Sequence, residues 1–452
     1  MEHIETDLLV IGWGKAGKSL AKALGSAGRD VVLVEQSDQM YGGGCINIAC
    51  VPTKALVHQA ELRRGESPAE WFASAVGKRD ALTDKLRAAN HAMLENVDAV
   101  TLVDGRARFV GAREVEVSAG SDVLRISAST VVINTGTVPA RPDLPGADGA
   151  RVHDSRTIQH VDPLPQRLAV VGGGFIGMEF AGMFARFGSE VTLLDGADRL
   201  LPGEDTDVAE AVAAALADAG VEVIHGARAQ EIVDHGDSVS VAYASGSVDA
   251  DAVLLATGRR PATDGLDLAA AGVDVDERGY VVVDDQLRTS ADGVFAVGDV
   301  NGGPQFTYIS FDDHRIVLDQ LAGTGTRRTT DRVAVPTTTF ITPPLSRVGL
   351  SETEARAQGL DVHVVVKPVA EIAAMPRPKI LGETHGLIKL VVDADTGLLL
   401  GATLFCVDSQ ELVNLVALAM RAGVRASDLR DSIWTHPSST EALNEVLAGL
   451  PR

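Results

Sequence analysis

Residues 8–17 read Leu-Leu-Val-Ile-Gly-Trp-Gly-Lys-Ala-Gly, an apolar strand-forming run followed by a glycine-rich turn. The sequence after it predicts a helix over residues 18–27 and a second strand over 30–34, with Glu35 at the strand end. This order is the βαβ fingerprint of dinucleotide-binding proteins, in which the glycines let the backbone approach a pyrophosphate at the helix N-terminus. The acid after the second strand can accept hydrogen bonds from a ribose. A single GxGxxG motif is a weak signal.

The fingerprint occurs a second time in this chain. An apolar run at 168–171 leads into Gly-Gly-Gly-Phe-Ile-Gly at 172–177, and a predicted strand over 190–194 is followed by Asp195. The matched positions, each displaced by 160, are Gly12 and Gly172, Gly14 and Gly174, Gly17 and Gly177, and Glu35 and Asp195. Four matches at one displacement predict two nucleotide-binding units, and therefore two cofactors on one chain.

Two of the three cysteines, Cys45 and Cys50, lie just past the first fingerprint. A regular helix separates such positions by about 7.5 Å along its axis, and a disulfide tolerates a Cα separation of about 4.4–6.8 Å. Bridging them requires a distorted turn, which Pro52 is placed to supply. So small a loop stabilises the fold little, and we therefore predict a redox role. The spacing does not fit a CxxC metal site, so no metal site is predicted.

The composition of the chain argues against several classes of protein. The 452 residues carry a net charge of −22, which argues against binding nucleic acid or an anionic membrane. No stretch reaches the apolar length of a membrane span, and the acidic N-terminus, which runs straight into a strand, predicts no signal peptide. Three cysteines in so long a chain are not a secreted disulfide framework, and we expect a cytoplasmic protein. Beyond residue 335 the pattern changes to strands followed by helices, which predicts an α+β domain.

These motifs, with Gly298-Asp299 at the end of a later strand, resemble the class I pyridine nucleotide–disulfide oxidoreductases over essentially the whole chain. Within that family the chain is most similar to the reactive-chlorine-resistance (RclA-type) flavoproteins, through segments 306–317 (FTYISFDDHRIV) and 340–349 (FITPPLSRVG). The resemblance implies an α/β protein with two Rossmann-like dinucleotide-binding domains and a C-terminal α+β dimerisation domain. The expected boundaries are 1–148 and 263–332 for FAD binding, 149–262 for NAD(P) binding and 333–452 for dimerisation.

The resemblance also implies the cofactor sites. FAD is expected at Gly12, Gly14, Gly17 and Glu35, with Asp299 at its ribityl chain. The nicotinamide dinucleotide is expected at Gly172, Gly174 and Gly177. Asp195 favours NADH because a carboxylate repels a 2′-phosphate, whereas the nearby Arg199 leaves NADPH possible. Further cofactor contacts are expected at Gly43, Gly44, Lys54, Thr135, Gly136, Phe175, Gly258, Arg259 and Gly298.

By the same resemblance, Cys50 is the sulfur beside the flavin and Cys45 the exposed, exchanging thiol. Lys54 would lie near the flavin and pair with Glu179, and Phe175 occupies the place of an aromatic gate. His436 and Glu441, in the HPxxxE segment, would form an acid–base pair that serves the cysteines of the partner subunit in a homodimer. Two departures are Gly44 and Ala49, where the family usually has Thr and Gly. The remaining cysteine, Cys406, is predicted to be a buried packing thiol, and His58 and His314 are predicted to be structural or solvent-facing.

The predicted function is an FAD-dependent NAD(P)H oxidoreductase that reduces a small oxidant or metal ion, hypothiocyanous acid or copper(II), in oxidative-stress defence. Dihydrolipoamide dehydrogenase is the main alternative. A mercuric reductase is disfavoured because the chain has no C-terminal cysteine pair, and a glutathione reductase because of its net charge of −22. A flavin-based redox sensor is the alternative from another class. The complete His436–Glu441 pair disfavours it, because a sensor needs no proton-handling dyad.

Overall fold

The computed structural model describes residues 2–451, which fall into two compact units. The first unit contains the described residues up to Leu56, with Ser74–Ala140 and Gly258–Arg332. The second contains Val57–Ala73, Arg141–Thr257 and the described residues from Val333 on. The helices Cys50–Leu62 and Pro68–Glu95 have residues in both units.

The first unit is built on a seven-stranded mixed sheet. Its main path, in spatial order, is Val100–Asp104, Val31–Glu35, Glu2–Ile11, Asp122–Ile133, Glu114–Ala119 and Arg106–Gly111, and Val294–Ala296 also pairs with Asp122–Ile133. The fingerprint strands are parallel, with Val10 opposite Leu33 on one side and Val132 on the other. The last two strands of the path form an antiparallel hairpin. A separate antiparallel pair joins Thr137–Pro139 to Arg259–Pro261.

Both faces of the fingerprint strand are buried, as its continuous apolar run requires. Leu8 and Val10 pack with the helix residue Leu20 in one core cluster. Leu9 and Ile11 pack into a separate cluster on the other side. The helices of this unit, including those shared with the second unit, are Lys15–Ser26, Gly44–Asn47, Cys50–Leu62, Pro68–Glu95 and Thr307–Ala322, with 3₁₀ turns at Asp38–Met40, Leu268–Ala271, Gly298–Asn301 and Thr329–Asp331.

The second unit has a parallel and two antiparallel sheets. The parallel sheet has the spatial order Val221–Ile224, Glu190–Leu194, Arg167–Val171, Ala252–Leu255 and Val152–His153. A three-stranded sheet contains Ala229–Asp234, Val239–Tyr243 and Gly246–Ala250. The third sheet has the order Thr337–Thr339, Leu345–Gly349, Leu399–Phe405, Leu387–Asp393 and Val362–Pro368.

The helices of the second unit divide between a part at Arg141–Thr257 and a C-terminal part from Val333 on. The part at Arg141–Thr257 has Phe175–Phe187, Thr206–Asp218 and a 3₁₀ turn at Thr157–His160. The C-terminal part has Glu352–Ala357, Pro376–Leu381, Ser409–Arg421, Ala426–Arg430, Ala442–Leu447 and a 3₁₀ turn at Val369–Glu371. The predicted fold class, two Rossmann-like domains followed by an α+β domain, is confirmed.

A buried ion cluster joins the two parts within this unit. Lys389 has a side chain that is only 5% exposed, and its Nζ lies 2.9–3.1 Å from carboxylate oxygens of three residues, Asp205, Asp207 and Glu352. Two of these acids belong to the segment that begins helix Thr206–Asp218, while Lys389 lies on the third sheet. A lysine so deeply buried needs these charges to offset its lost hydration.

Candidate active site

The two cysteines lie on separate short helices. Cys45 is the second residue of helix Gly44–Asn47, the backbone leaves the helical region at Ile48 (φ −138°), and Cys50 begins the next helix. This interruption is the distorted turn that the spacing predicted. Pro52 lies in the first turn of the second helix, where its missing N–H has no intrahelical acceptor to lose.

Both cysteines are free thiols in the structure, and they are hydrogen-bonded to each other. The hydrogen bond from Cys45 lowers the pKa of Cys50 to about 6; burial opposes this, and Thr307 and Lys54 assist it. The same bond, together with burial, raises the pKa of Cys45. Cys50 is therefore the thiolate above about pH 6, in agreement with its place at a helix N-terminus, while Cys45 retains the proton.

Thr307 is a site residue that the sequence analysis did not single out. Its Oγ1 lies 3.7 Å from Cys50 Sγ, and it begins helix Thr307–Ala322. Segment 306–317 resembles the RclA-type flavoproteins, but that resemblance assigns no role to the Thr307 hydroxyl. A threonine one residue after a strongly apolar Phe306, at a helix start, gives no local signal that it faces a thiol.

The first glycine fingerprint packs against the buried side-chain amide of Asn134. Gly12 has φ +98°, a conformation that favours glycine. Asn134 Oδ1 accepts the Gly17 N–H at 2.8 Å, and its Nδ2 donates to Val297 O at 2.8 Å. A Cβ on Gly14 would lie 2.4 Å from Asn134 Oδ1. Asn134, which precedes the predicted contacts Thr135 and Gly136, thus fixes the turn and was also missed.

Glu35 stands at the end of the second strand, as predicted, and its carboxylate faces the fingerprint turn. Its Oε2 accepts the Trp13 N–H at 3.0 Å and its Oε1 accepts the Gln36 N–H at 2.8 Å. Burial raises the pKa of Glu35, although these N–H groups oppose the shift. A carboxylate has about four acceptor positions, so it can still accept hydroxyl groups of a ribose.

Asp299 lies in the 3₁₀ turn that follows strand Val294–Ala296. Its Oδ2 accepts from Thr137 Oγ1 at 3.1 Å, and the same hydroxyl accepts from Arg259 Nε at 2.8 Å. Burial raises the pKa of Asp299, with Arg259 and Thr137 opposing. Gly298, at φ +71°, donates its N–H to Asp313 Oδ2 at 2.6 Å. Thr137 therefore holds Asp299, which is predicted to contact FAD. Nothing in the sequence indicates this role for Thr137.

The second glycine fingerprint forms a turn of the same kind. Gly172 has φ +112°, and a Cβ on Gly177 would lie 1.9 Å from Gly172 O. Asp195 is nearly buried, and a Cβ on Gly173 would lie 2.6 Å from its Cγ. Its Oδ1 accepts the Ala197 N–H at 3.3 Å. The carboxylate therefore lies against the glycine turn that is expected to receive a dinucleotide.

Other predicted cofactor contacts border these turns. Gly174 is the N-cap of helix Phe175–Phe187, and Phe175, its first residue, is 56% exposed. Gly258 has φ +111° and lies, with Arg259, in the first unit. Arg199 Nη2 donates to the carbonyls of Pro202 and Glu204, so part of its guanidinium is occupied by its own loop.

His436 and Glu441 form the pair that the HPxxxE segment predicted. Glu441 Oε1 lies 2.8 Å from His436 Nδ1, and its Oε2 accepts the Ser438 N–H at 2.8 Å. Although burial acts against it, these partners hold the pKa of Glu441 below its usual value. The imidazole is 71% exposed, so its Nε2 is open to a partner. Asp408 Oδ2 accepts from Ser439 Oγ at 3.0 Å and secures this loop.

Lys54 and Glu179 belong to different units. Lys54 is half-buried on the helix that Cys50 begins, and Glu179 Oε1 accepts the Phe340 N–H at 2.8 Å. Their pairing stays a prediction, as does the gating role of Phe175. Cys406 is fully buried in the core of the C-terminal part, which confirms that it is a packing thiol. His58 is exposed and His314 nearly buried, and neither joins the cysteine pair.

Two buried polar atoms near the first fingerprint lack a partner among residues 2–451: Thr135 Oγ1 and Trp13 Nε1. Such atoms are costly unless a ligand or water satisfies them, so the turn fits a polar ligand. Gly43 lies close by, since a Cβ there would be 2.8 Å from Gly14 Cα. Within the described chain no group of three His, Cys, Asp or Glu side chains could hold a metal ion. Nor does any helix of that part have the length and apolarity needed to cross a membrane.

Comparison with known proteins shows the family of this chain. The family model described as pyridine nucleotide-disulphide oxidoreductase matches residues 6–313, and the dimerisation-domain model of the same family matches residues 335–447. The chain belongs to the pyridine nucleotide-disulfide oxidoreductase family. Members of this family are flavoprotein oxidoreductases that depend on FAD and use NAD(P)H.

Individual relatives cover nearly all of the chain. The probable pyridine nucleotide-disulfide oxidoreductase RclA of Escherichia coli K12 is 45% identical over 441 residues, covering 97% of this chain and 98% of that protein. A dihydrolipoyl dehydrogenase of Thermus scotoductus is 36% identical over 462 residues, with 98% and 97% coverage. The solved Cu(II) complex of HOCl-induced flavoprotein disulfide reductase RclA from E. coli superposes with a TM-score of 0.94 at 44% identity, covering 98% and 99% of the two chains.

The family cofactor fits the first unit. The glycine turn, the Glu35 carboxylate, Asp299 and the unpartnered Thr135 hydroxyl are the groups that would hold FAD. When bound, FAD supplies two-electron chemistry between a nicotinamide and a dithiol. The predicted oxidoreductase class and the resemblance to RclA-type proteins are confirmed.

Proposed function

We propose that this protein is an NAD(P)H-dependent flavoprotein reductase whose Cys45–Cys50 pair passes electrons to a small oxidant or metal ion. The observation that carries the proposal is the polarised thiol pair itself. Its two sulfurs are hydrogen-bonded to each other, Cys50 is ionised above about pH 6, and Cys45 retains the proton. A pair in this state can be oxidised to a disulfide without moving either helix far, because the two thiols are already in contact.

The proposed oxidative step balances with hypothiocyanous acid. One thiol sulfur attacks the oxidant sulfur, breaks its S–O bond and releases water. The second thiolate then displaces thiocyanate and closes the disulfide. The net change converts a dithiol and hypothiocyanous acid into a disulfide, thiocyanate, water and a proton. With copper, two Cu²⁺ ions each take one electron and two protons leave the thiols. Two electrons and two protons, supplied by NAD(P)H and solvent, restore the dithiol.

NADH is proposed as the preferred donor. The Asp195 carboxylate lies against the second glycine turn, where it would repel the 2′-phosphate of NADPH. Arg199 could favour that phosphate, but one of its terminal nitrogens is bonded to backbone carbonyls of Pro202 and Glu204.

A homodimer is proposed as the working form. The dimerisation-domain match spans residues 335–447, and this part exposes large apolar side chains, among them Leu418 at 62% and Ile433 at 98%. Because Ile433 lies three residues before the exposed His436, a partner that covers this surface would also approach the imidazole. His436 would thereby serve the cysteines of the other subunit.

A kinetic panel with the purified FAD-bound protein tests the proposal. Hypothiocyanous acid, copper(II), lipoamide, glutathione disulfide and mercury(II) are compared as oxidants, with NADH and NADPH as donors. We expect sustained NADH oxidation with hypothiocyanous acid or copper(II) and little with glutathione disulfide. Fast lipoamide turnover would instead support a dihydrolipoamide dehydrogenase, which the 36% identity to such an enzyme makes the second candidate. One round of reduction followed by arrest would support a redox sensor.

A further inference from the structure

Lys18 is a buried lysine that the proposed function does not use. It lies on the helix that follows the first glycine fingerprint, and only 5% of its surface is exposed. Lys15 is half-buried on the same helix face, and Lys22 is exposed one turn further on. The three lysines line an open groove of about 620 Å³, together with Asn90 and His314. Lysine is rarely this buried unless its ammonium has specific partners.

The ammonium of Lys18 has two partners, and one belongs to the cysteine loop. Its Nζ donates to Gly42 O at 3.0 Å and to Asn90 Oδ1 at 2.6 Å. Asn90 in turn donates from Nδ2 to Leu86 O at 2.8 Å, which fixes the orientation of its amide. Gly42, at φ +96°, begins the turn that leads into helix Gly44–Asn47. Lys18 therefore fixes the backbone three residues before Cys45.

Charge couples Lys18 to the same cysteine. Burial, together with the charge of Lys15, lowers the pKa of Lys18 to about 8, and Cys45 opposes the shift. In return, Lys18 and Thr307 counteract the rise that the Cys50 hydrogen bond and burial impose on the pKa of Cys45. Lys22 and His314 are the other titratable groups that line the groove. Lys18 is protonated below about pH 8, so its influence is present at neutral pH and is lost as pH rises through that value.

We propose that Lys18 is a positioning residue for the cysteine pair: its ammonium holds the Gly42 carbonyl, orients the turn that carries Cys45, and favours the thiolate form of Cys45. The inference rests on the proposed function, in which Cys45 is the exchanging thiol and must ionise to attack the oxidant while Cys50 lies beside the flavin. A cation near the exchanging sulfur makes that ionisation easier. A purely structural lysine would stabilise the turn without changing how Cys45 titrates.

The test measures the ionisation of Cys45 without turnover. A Cys50→Ala variant, loaded with FAD, removes the hydrogen bond that dominates the titration of Cys45. The rate of iodoacetamide labelling of Cys45, read by mass spectrometry of its peptide, is then recorded against pH. Adding Lys18→Met should lower the labelling rate at pH 7, where Lys18 is charged, by about tenfold, and the difference should shrink above about pH 8, where Lys18 is neutral. Adding Lys22→Met, which removes the exposed lysine of the same groove, should leave the rate unchanged.

An unchanged labelling rate at pH 7 in the Lys18→Met protein would overturn the proposal. If that protein does not fold, Asn90→Asp provides the second variant, because a carboxylate bonded to the ammonium offsets its charge while Lys18 stays in place. It should also lower the labelling rate at pH 7, and an unchanged rate there contradicts the proposal as well. Labelling requires no oxidant, so a protein that reduced none of the panel could still show the slower labelling, and the two failures are distinguishable.

Discussion

Replacing either Cys45 or Cys50 by serine is expected to abolish NADH-driven oxidant reduction while the protein still binds FAD. Serine keeps the size of the side chain, but its hydroxyl can neither form the disulfide nor ionise near neutral pH. The loss should be about a thousandfold or more in kcat, because neither remaining thiol can complete the two-electron exchange alone. The measurement is steady-state NADH oxidation with the best oxidant of the panel, alongside the flavin absorbance spectrum of each variant.

The matched control is Cys406→Ala. Cys406 is fully buried in a core cluster of the second unit, so its replacement should change stability but leave turnover intact. If the Cys45→Ser or Cys50→Ser protein kept full turnover, the dithiol would have no part in the reaction. Loss of bound FAD in both variants would point instead to a damaged turn beside the glycine fingerprint.

His436→Ala is expected to slow the reaction of the reduced enzyme with oxidant by about a hundredfold or more. Glu441 Oε1 lies 2.8 Å from His436 Nδ1, which fixes the tautomer and leaves Nε2 to exchange protons with the thiols. The step in which NADH bleaches the flavin absorbance needs no thiol proton and should keep its rate. Stopped-flow measurement of the two half-reactions separates these effects.

Two further variants sharpen this prediction. Glu441→Gln keeps a hydrogen-bond acceptor for Nδ1 but removes the charge, so it should slow the same half-reaction by a smaller factor. His235→Ala alters an exposed histidine in a hairpin loop, whose ring is hydrogen-bonded to the Ser240 hydroxyl. This variant should have no effect. Equal slowing of both half-reactions in His436→Ala would contradict the acid–base role.

Much of the fold follows from the sequence because its decisive elements are buried on both faces. The strands over 8–11 and 168–171 are continuous apolar runs that lead into glycine turns, and the structure gives Glu2–Ile11 and Arg167–Val171. The hairpin Arg106–Gly111 and Glu114–Ala119 was not predicted. Its Glu-Val-Glu-Val alternation is a period-2 signal, but charged residues on its open face hide it from a search for apolar runs.

Helix starts were predicted too late for one physical reason. The first fingerprint helix begins at Lys15, inside the glycine motif, rather than at residue 18, and the second also begins inside its motif, at Phe175. Glycines at helix N-termini look like turn residues, so a propensity argument places the start after them. In these motifs the close approach of the glycine backbone to neighbouring backbone segments, rather than helix propensity, decides where the helix begins.

Within the site, residues whose role depends on their side-chain chemistry could be predicted. Residues whose role depends on where the fold places them could not. Cys45, Cys50, His436 and Glu441 stand in spacings that few other functions require. Thr307 and Asn134 act because the fold brings them to a sulfur or a glycine turn more than a hundred residues away in sequence. No local pattern marks such a contact.

The most direct test of the central claim counts thiols. The air-oxidised, FAD-bound protein is denatured in the presence of a thiol reagent, before and after anaerobic reduction with NADH. Of the three cysteines, we expect Cys406 alone to react in the oxidised protein and Cys45 and Cys50 to react as well after NADH, a gain of about two thiols per chain. A count that NADH leaves unchanged would show that no Cys45–Cys50 disulfide is opened by the donor, and the account would fail.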